Sequence, residues 1–199
     1  MSIEALRNEI LGYGTYDPAY YRKQIHPIPE AKVVDRVKFI LERCKGKTVL
    51  HLGSDGPLHP AIEKVAAKAY GVDLTNVHGA KHWIKVDLDT LYKVPLEIPQ
   101  DVDLVLCAEV LEHLRSPGFL LENLKGAIRE IIITAPNAYS EVGFRFVQQE
   151  GTENVNIDHT MHFSYRTMKT LLEKCGYKIK EFYWYNGKPM LAEGMIIVC

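Results

Sequence analysis

The stretch TVLHLGSDGPLHP, residues 48–60, decides how the rest of the chain is read. An apolar run from Thr48 to Leu52 stops at Gly53-Ser54-Asp55-Gly56, and a helical pattern begins beyond Pro57. Strand, tight turn and helix in that order open a βαβ unit, and the turn is where open α/β sheets hold nucleotide-like ligands. This turn departs from a glycine-rich loop, because Asp55 and Pro57 stand where more glycine is expected. Pro57 lacks an N–H but suits a helix start.

Outward from that stretch the pattern alternates. Short apolar runs recur at AYGVDL (69–74), HWIKVDL (82–88), DLVLCAEV (103–110), EIIITAP (130–136), KIKEFYWY (178–185) and GMIIVC (194–199). Helical stretches separate several of them: HPAIEKVAAKA, PGFLLENLKG and SYRTMKTLLEKCG. The alternation predicts an α/β fold, a mostly parallel sheet with helices on both faces. Central runs that are apolar throughout fit strands buried on both sides. The last two runs are joined through Asn186, Gly187 and Pro189, a hairpin rather than a crossover, so the terminal strand is expected to be antiparallel. The expected count is seven strands in one domain over residues 1–199. Residues 1–45 supply N-terminal helices and a lid, 46–136 a cofactor-binding half, and 137–199 the acceptor side and terminal strands. One helix is expected from Glu30, with Val33, Val37, Ile40 and Leu41 at helical spacing and Gly46 at its end.

Composition narrows the classes. With 47% hydrophobic and 25% charged residues and a net charge of -1, the chain is an ordinary globular sequence with no global pull toward nucleic acid or an anionic membrane. Cys44, Cys107, Cys175 and Cys199 are widely spaced and form no CxxC pair, against a zinc site or a disulfide framework. The first residues lack the apolar core of a signal peptide, and no run reaches the roughly 20 residues of a membrane span. A cytoplasmic location is the expectation.

Ligands of an open α/β sheet sit beyond the carboxyl ends of its strands, so the residues there carry the functional reading. They are Gly53, Ser54, Asp55 and Gly56 after the first run, Asp73-Leu74 after the second, Asp87-Leu88 after the third, and Ala108-Glu109 after the fourth. Asp73 lies 20 residues past Gly53, near the offset at which an acid meets a ribose diol. Its carboxylate can accept two hydroxyl hydrogen bonds with charge assistance. Asp87 can accept from an exocyclic amine such as that of adenine. Gly53 lets the main chain approach a ligand closely.

In order and spacing these segments resemble a class I S-adenosylmethionine-dependent methyltransferase of the small-molecule type. VLHLGSDGP stands for that family's first strand and turn, YGVDL for its ribose-binding strand end, and IKVDLDTL for its adenine-side acid. DVDLVLCAEVLEHLRSPGFLLENL is the most specific match, followed by IIITAPNAYS and DHTMHFSYRTMKTLLEKCGYKI. The resemblance runs from about residue 30 to the end, and implies a Rossmann-like three-layer fold with S-adenosylmethionine as cofactor. The family usually carries an acid at the position of His51, so His51 joins the cofactor-binding set while Asp55, four residues on, is expected to supply the displaced charge. Glu109 is expected to border the methionine moiety through its main chain.

Methyl transfer needs alignment, desolvation and, for a hydroxyl acceptor, a base. His159 and His162 in NIDHTMHFS are the candidates, as base or substrate contact, with bracing of the loop as the alternative. Asp158, Asn137, Tyr16 and Tyr21 complete the expected acceptor contacts. The tyrosines of GYGTYDPAYYRKQIH, Tyr13 and Tyr20 among them, are read either as a lid or as packing. H-x-x-H also admits a metal reading if a helix aligns the pair and the fold brings Glu109 and Glu112 close, but no metal is expected. Glu112 and His113 are read as structural. The expected activity is O-methylation of a small molecule such as a sugar, sugar conjugate or natural product, with no nucleic-acid or membrane partner and a homodimer left open. Two rivals stand beside it: a non-catalytic binding or assembly protein with this fold, and a nicotinamide-dependent oxidoreductase, which lacks its G-x-G-x-x-G.

Overall fold

Val33 and Val34 pair with the chain's penultimate strand, which makes the sheet eight-stranded rather than seven-stranded. The computed structural model describes residues 2, 3, 5, 27–91, 93, 95–153 and 155–199, and elements are numbered here from Pro27 onward. The tyrosines expected as a lid or as packing, Tyr13, Tyr16, Tyr20 and Tyr21, lie outside the described residues, as does the expected N-terminal helix apart from Ser2, Ile3 and Ala5.

The elements run β1 (Val33–Val34), α1 (Arg36–Cys44), β2 (Thr48–Leu52), α2 (Leu58–Val65), β3 (Lys68–Asp73), β4 (His82–Lys85), β5 (Leu104–Ala108), α3 (Pro117–Leu124), β6 (Ile131–Pro136), α4 (Glu141–Glu150), α5 (Tyr165–Lys174), β7 (Glu181–Tyr185) and β8 (Gly194–Val198). Single 3-10 turns follow β4, at Leu88–Thr90, and β5, at Leu111–His113. The strand order is β1-β7-β8-β6-β5-β2-β3-β4. Only β8 runs against its neighbours, antiparallel to both β6 and β7.

The helix expected from Glu30 begins six residues later. Asp35 caps it, its carboxylate accepting from Lys38 N at 2.9 Å, and the preceding valines extend to reach β7 instead. The cap fixes the helix start, and the pairing satisfies backbone groups that a longer helix would have used internally. The excursion after β6 contains α4, capped by Ser140 at its start and closed by Gly151 in the left-handed region.

The sheet divides the core. Val49, Ile62, Leu104, Leu106 and Ile196 pack with α1 and α2 on one face, and Leu50, Leu52, Val105, Leu121 and Leu172 pack with α3 and α5 on the other. Alternate residues of β2 therefore point to opposite layers, which decides the fate of His51 below. From β2 the chain winds outward through β3 and β4, and from β5 it winds the other way through β6. The reversal between β2 and β5 opens a crevice at their carboxyl ends.

Candidate cofactor crevice and acceptor cavity

A crevice of about 380 Å³ lies at that reversal, lined by Gly53, Asp55, Asp73, Asp87, Glu109 and His113 among others. Gly53 ends β2 at φ +69°, a conformation that L side chains rarely adopt, and a Cβ there would lie 2.5 Å from Val110 Cγ2. Glycine is thus required twice over, by the turn and by the packing of the β5 exit against it. Asp73 ends β3 with Oδ1 accepting from Leu74 N at 2.7 Å and Oδ2 accepting from Asp55 N at 3.2 Å. One carboxylate therefore organises both turns. Asp87 caps the 3-10 turn after β4, its Oδ1 accepting from Asp89 N at 3.0 Å.

Glu109 leaves β5 at φ +56°, a strained conformation for a residue with a Cβ. Its surroundings hold it there. Its N–H donates to Thr134 O at 3.0 Å, while its Oε1 accepts from Thr134 Oγ1 at 2.6 Å and Tyr185 O–H at 2.9 Å. The same oxygen lies 3.3 Å from the Arg36 guanidinium. Burial, then the neighbouring Glu109 charge, raises the Tyr185 hydroxyl pKa, so it stays a donor.

Beyond α4 lies a second cavity of about 590 Å³, lined by Asn137, Val142, Phe144, Val147, His159 and His162 among others. Consecutive residues join the two spaces, since Asp158 lines the crevice and His159 the cavity. Burial, then His113 and His162, lowers the His159 pKa, favouring a neutral imidazole.

The sequence-derived set separates in three dimensions. Gly53, Asp55, Asp73, Leu74, Asp87, Leu88 and Glu109 all line the crevice, whereas His51, Ser54, Gly56 and Ala108 do not. His51 is a correction: it shares the parity of Val49 and faces the α1–α2 layer. There its Nδ1 lies 3.2 Å from His59 Nδ1, and both rings are buried. Burial, with His59 adding to it, pushes the His51 pKa down to about 3. Ser54 is buried beside Gly71. Asp55 sits on the Asp73 side of the crevice, tied there by its own amide. Asp158, expected among acceptor contacts, faces the crevice instead. Asn137 does line the second cavity, but its amide donates to Met190 O and Ala192 O, both at 3.0 Å, so its polar tip braces that loop.

Other residues emerge only from the fold. Val86, Asp89, Val110, His113 and Leu114 also line the crevice, and Arg115 holds Asp89 at 3.2 Å. Glu112 is buried, and desolvation, then Glu109, raises its pKa to about 8. Neither His159 nor His162 lies in a helix, and their ring centroids are 6.4 Å apart. Instead, His159 meets Glu112 and His113, one ligand atom from each lying within 4.8 Å of the others. The recurrence Glu109-x-x-Glu112-His113 at one strand exit was the available signal.

No family model matches the sequence, and no curated protein matches it. Solved structures do. A SAM-dependent methyltransferase from Archaeoglobus fulgidus is similar at TM-score 0.61 and 16% identity, over 82% of this chain and 90% of that one. The small RNA methyltransferase HEN1 gives TM-score 0.62 and 18% identity over 87% of this chain, which spans only 26% of that chain. The fold is that of the S-adenosylmethionine-dependent methyltransferases. A third methyltransferase, the 1,6-didemethyltoxoflavin-N1-methyltransferase of Burkholderia thailandensis, was solved with that compound and S-adenosylhomocysteine bound. It gives TM-score 0.59 and 12% identity over 82% of this chain and 75% of that one. The eight-stranded methyltransferase sheet bears out the expected architecture, with the extra strand β1 as its one addition.

Proposed function

We propose that the chain binds S-adenosylmethionine in the crevice and methylates a hydroxyl of a small molecule held in the second cavity. The observation that carries this reading is the convergence of Gly53, Asp73, Asp87 and Glu109 at the reversal of strand order. The donor set fits an adenosine: two acid side chains at successive strand ends, for diol and amine, beside a close main-chain approach at Gly53. Asp73 holds the ribose hydroxyls, Asp87 the exocyclic amine, and the turn from Gly53 to Gly56 with Glu109 borders the amino-acid end. When bound, this cofactor supplies a methyl group on a sulfonium. The residues of the chain align the acceptor and exclude water.

Support for a small acceptor comes from the lining of the second cavity. Among the described residues, neither space is lined by lysine or arginine, whereas Glu153 and Glu193 line the second. A phosphate backbone calls for the opposite charge. Val142, Phe144 and Val147 offer apolar contact, and His159 and His162 line the same cavity with ring nitrogens able to bond a hydroxyl. The test is calorimetric titration with S-adenosylhomocysteine, followed by mass spectrometry of a metabolite extract incubated with methyl-labelled cofactor. Saturable binding and a labelled small molecule are expected. Label found only in RNA or protein would refute the acceptor class, and absence of binding would refute the enzyme reading.

A further inference from the structure

Glu112 is 1% exposed, and neither carboxylate oxygen has a hydrogen-bond partner among the described residues. A buried carboxylate without a donor is costly, and proteins keep one where a charge partner or a cation compensates. The next residue is His113, and the loop after α4 brings His159 to both, with ligand atoms mutually within 4.8 Å. The rings of His113 and His159 meet edge to face with centroids 4.7 Å apart.

The loop is fastened there by four hydrogen bonds. Glu112 O accepts from Thr160 N at 2.8 Å, Thr160 Oγ1 at 3.1 Å and Met161 N at 3.4 Å, and Leu114 O accepts from Thr160 Oγ1 at 2.8 Å. All three side chains therefore ride on one braced unit, although 46 residues separate His113 from His159. Ligands about 2.1 Å from a tetrahedral ion lie about 3.4 Å apart, so closure requires side-chain adjustments of roughly 1 Å.

We propose that Glu112, His113 and His159 bind one divalent first-row transition-metal ion in the wall between the crevice and the acceptor cavity. Two imidazoles and one carboxylate suit manganese, iron, cobalt or zinc, whereas magnesium and calcium take oxygen sets. Three protein ligands leave coordination positions open. His113 lines the crevice and His159 the cavity, so an ion held by both is reachable from the acceptor side. Only its catalytic use rests on the methyl-transfer reading. An acceptor hydroxyl coordinated to the ion loses its proton to water more readily, the role of a Lewis acid. His159 is then a ligand, and His162 remains free to contact the substrate.

The test uses untagged, chelator-treated protein titrated with cobalt(II), followed by calorimetry and by the visible absorption of the bound ion. The wild type should bind one equivalent saturably. Glu112→Gln and His159→Ala should each weaken binding about tenfold or more, while His78→Ala, on an exposed loop, should match the wild type. Circular dichroism establishes that each variant is folded. If Glu112→Gln unfolds, His159→Ala carries the test. No saturable binding by the wild type, or undiminished binding by a folded His159→Ala variant, overturns the ion site. S-adenosylhomocysteine titrated separately keeps the two readings apart: loss of that binding alone defeats the methyl-transfer proposal and leaves the ion site standing.

Discussion

Asp73→Ala is the perturbation that bears most directly on the crevice. The carboxylate already accepts on Oδ1 from Leu74 N at 2.7 Å and, at a long 3.5 Å, from Thr75 N, and on Oδ2 from Asp55 N at 3.2 Å. Each oxygen carries two acceptor positions, so Oδ2 keeps one for a ribose hydroxyl, and on Oδ1 the second hydroxyl replaces the long contact from Thr75 N. Hydrogen bonds to a charged group contribute about 1.5–3 kcal/mol each. The site is open to water and its other bonds are shared, which places the combined loss for the diol near about 2 kcal/mol, or roughly thirtyfold in Kd. Part of that loss comes from freeing the Asp55 amide, which loosens the turn. Asp73→Asn separates the two contributions. It keeps one acceptor oxygen for Leu74 N but loses the charge and the second acceptor, and should weaken binding by about tenfold. Calorimetric titration with S-adenosylhomocysteine at fixed ionic strength measures both, with thermal unfolding as a check on the fold. A folded Asp73→Ala protein that binds within threefold of wild type would refute the ribose assignment.

Gly53→Ala forces a Cβ into the left-handed region and against Val110 Cγ2, and should cost about 2–4 kcal/mol in urea unfolding; a change under about 0.5 kcal/mol would show that the turn relaxes freely. The His51–His59 pair makes stability pH-dependent. His51 is held near about 3 by burial, then by His59, so the native state binds fewer protons than the unfolded chain, whose histidine titrates near 6.5. Stability is therefore full above about pH 6.5 and falls as pH drops, with about 2 kcal/mol lost to His51 by pH 5. Urea midpoints from pH 7.5 to 5 should show a shallower decline for His51→Gln, and parallel profiles would remove the idea. Tyr185→Phe deletes the hydroxyl that donates to Glu109 Oε1 at 2.9 Å and should destabilise by about 1.5 kcal/mol. An unchanged denaturation midpoint would mean that Arg36 and Thr134 suffice to hold Glu109.

Much of the molecule follows from local pattern. The seven apolar runs became strands because each is short, carries β-branched or aromatic residues and is bounded by turn signals. The acids at the ends of β3 and β4 and the glycine at the end of β2 line one crevice because parallel strands bring equivalent ends together. Those relations lie within about 35 residues of chain, where periodicity and turn chemistry act. His51 shows the limit of reading by position alone. Its place before the turn proposed a ligand contact, yet the two-residue alternation of β2 directs it beside Val49 into the α1–α2 layer. That parity is written in the sequence, but which layer receives it depends on where the helices pack.

The remaining features depend on contacts between segments far apart in the chain. Val33 carries helical spacing with Val37, yet it and Val34 pair with β7, some 150 residues later. Asn137 reads as a site residue until its amide is seen holding Met190 and Ala192 carbonyls. Glu112 and His113 gain chemical meaning when Thr160 and Met161 fasten a distant loop to the β5 exit and deliver His159. Local pattern determines which segments form elements and what stands at their ends. Contacts across long stretches of chain determine which side chains meet, because a side chain's partners are set by the packing of whole elements rather than by its neighbours in sequence.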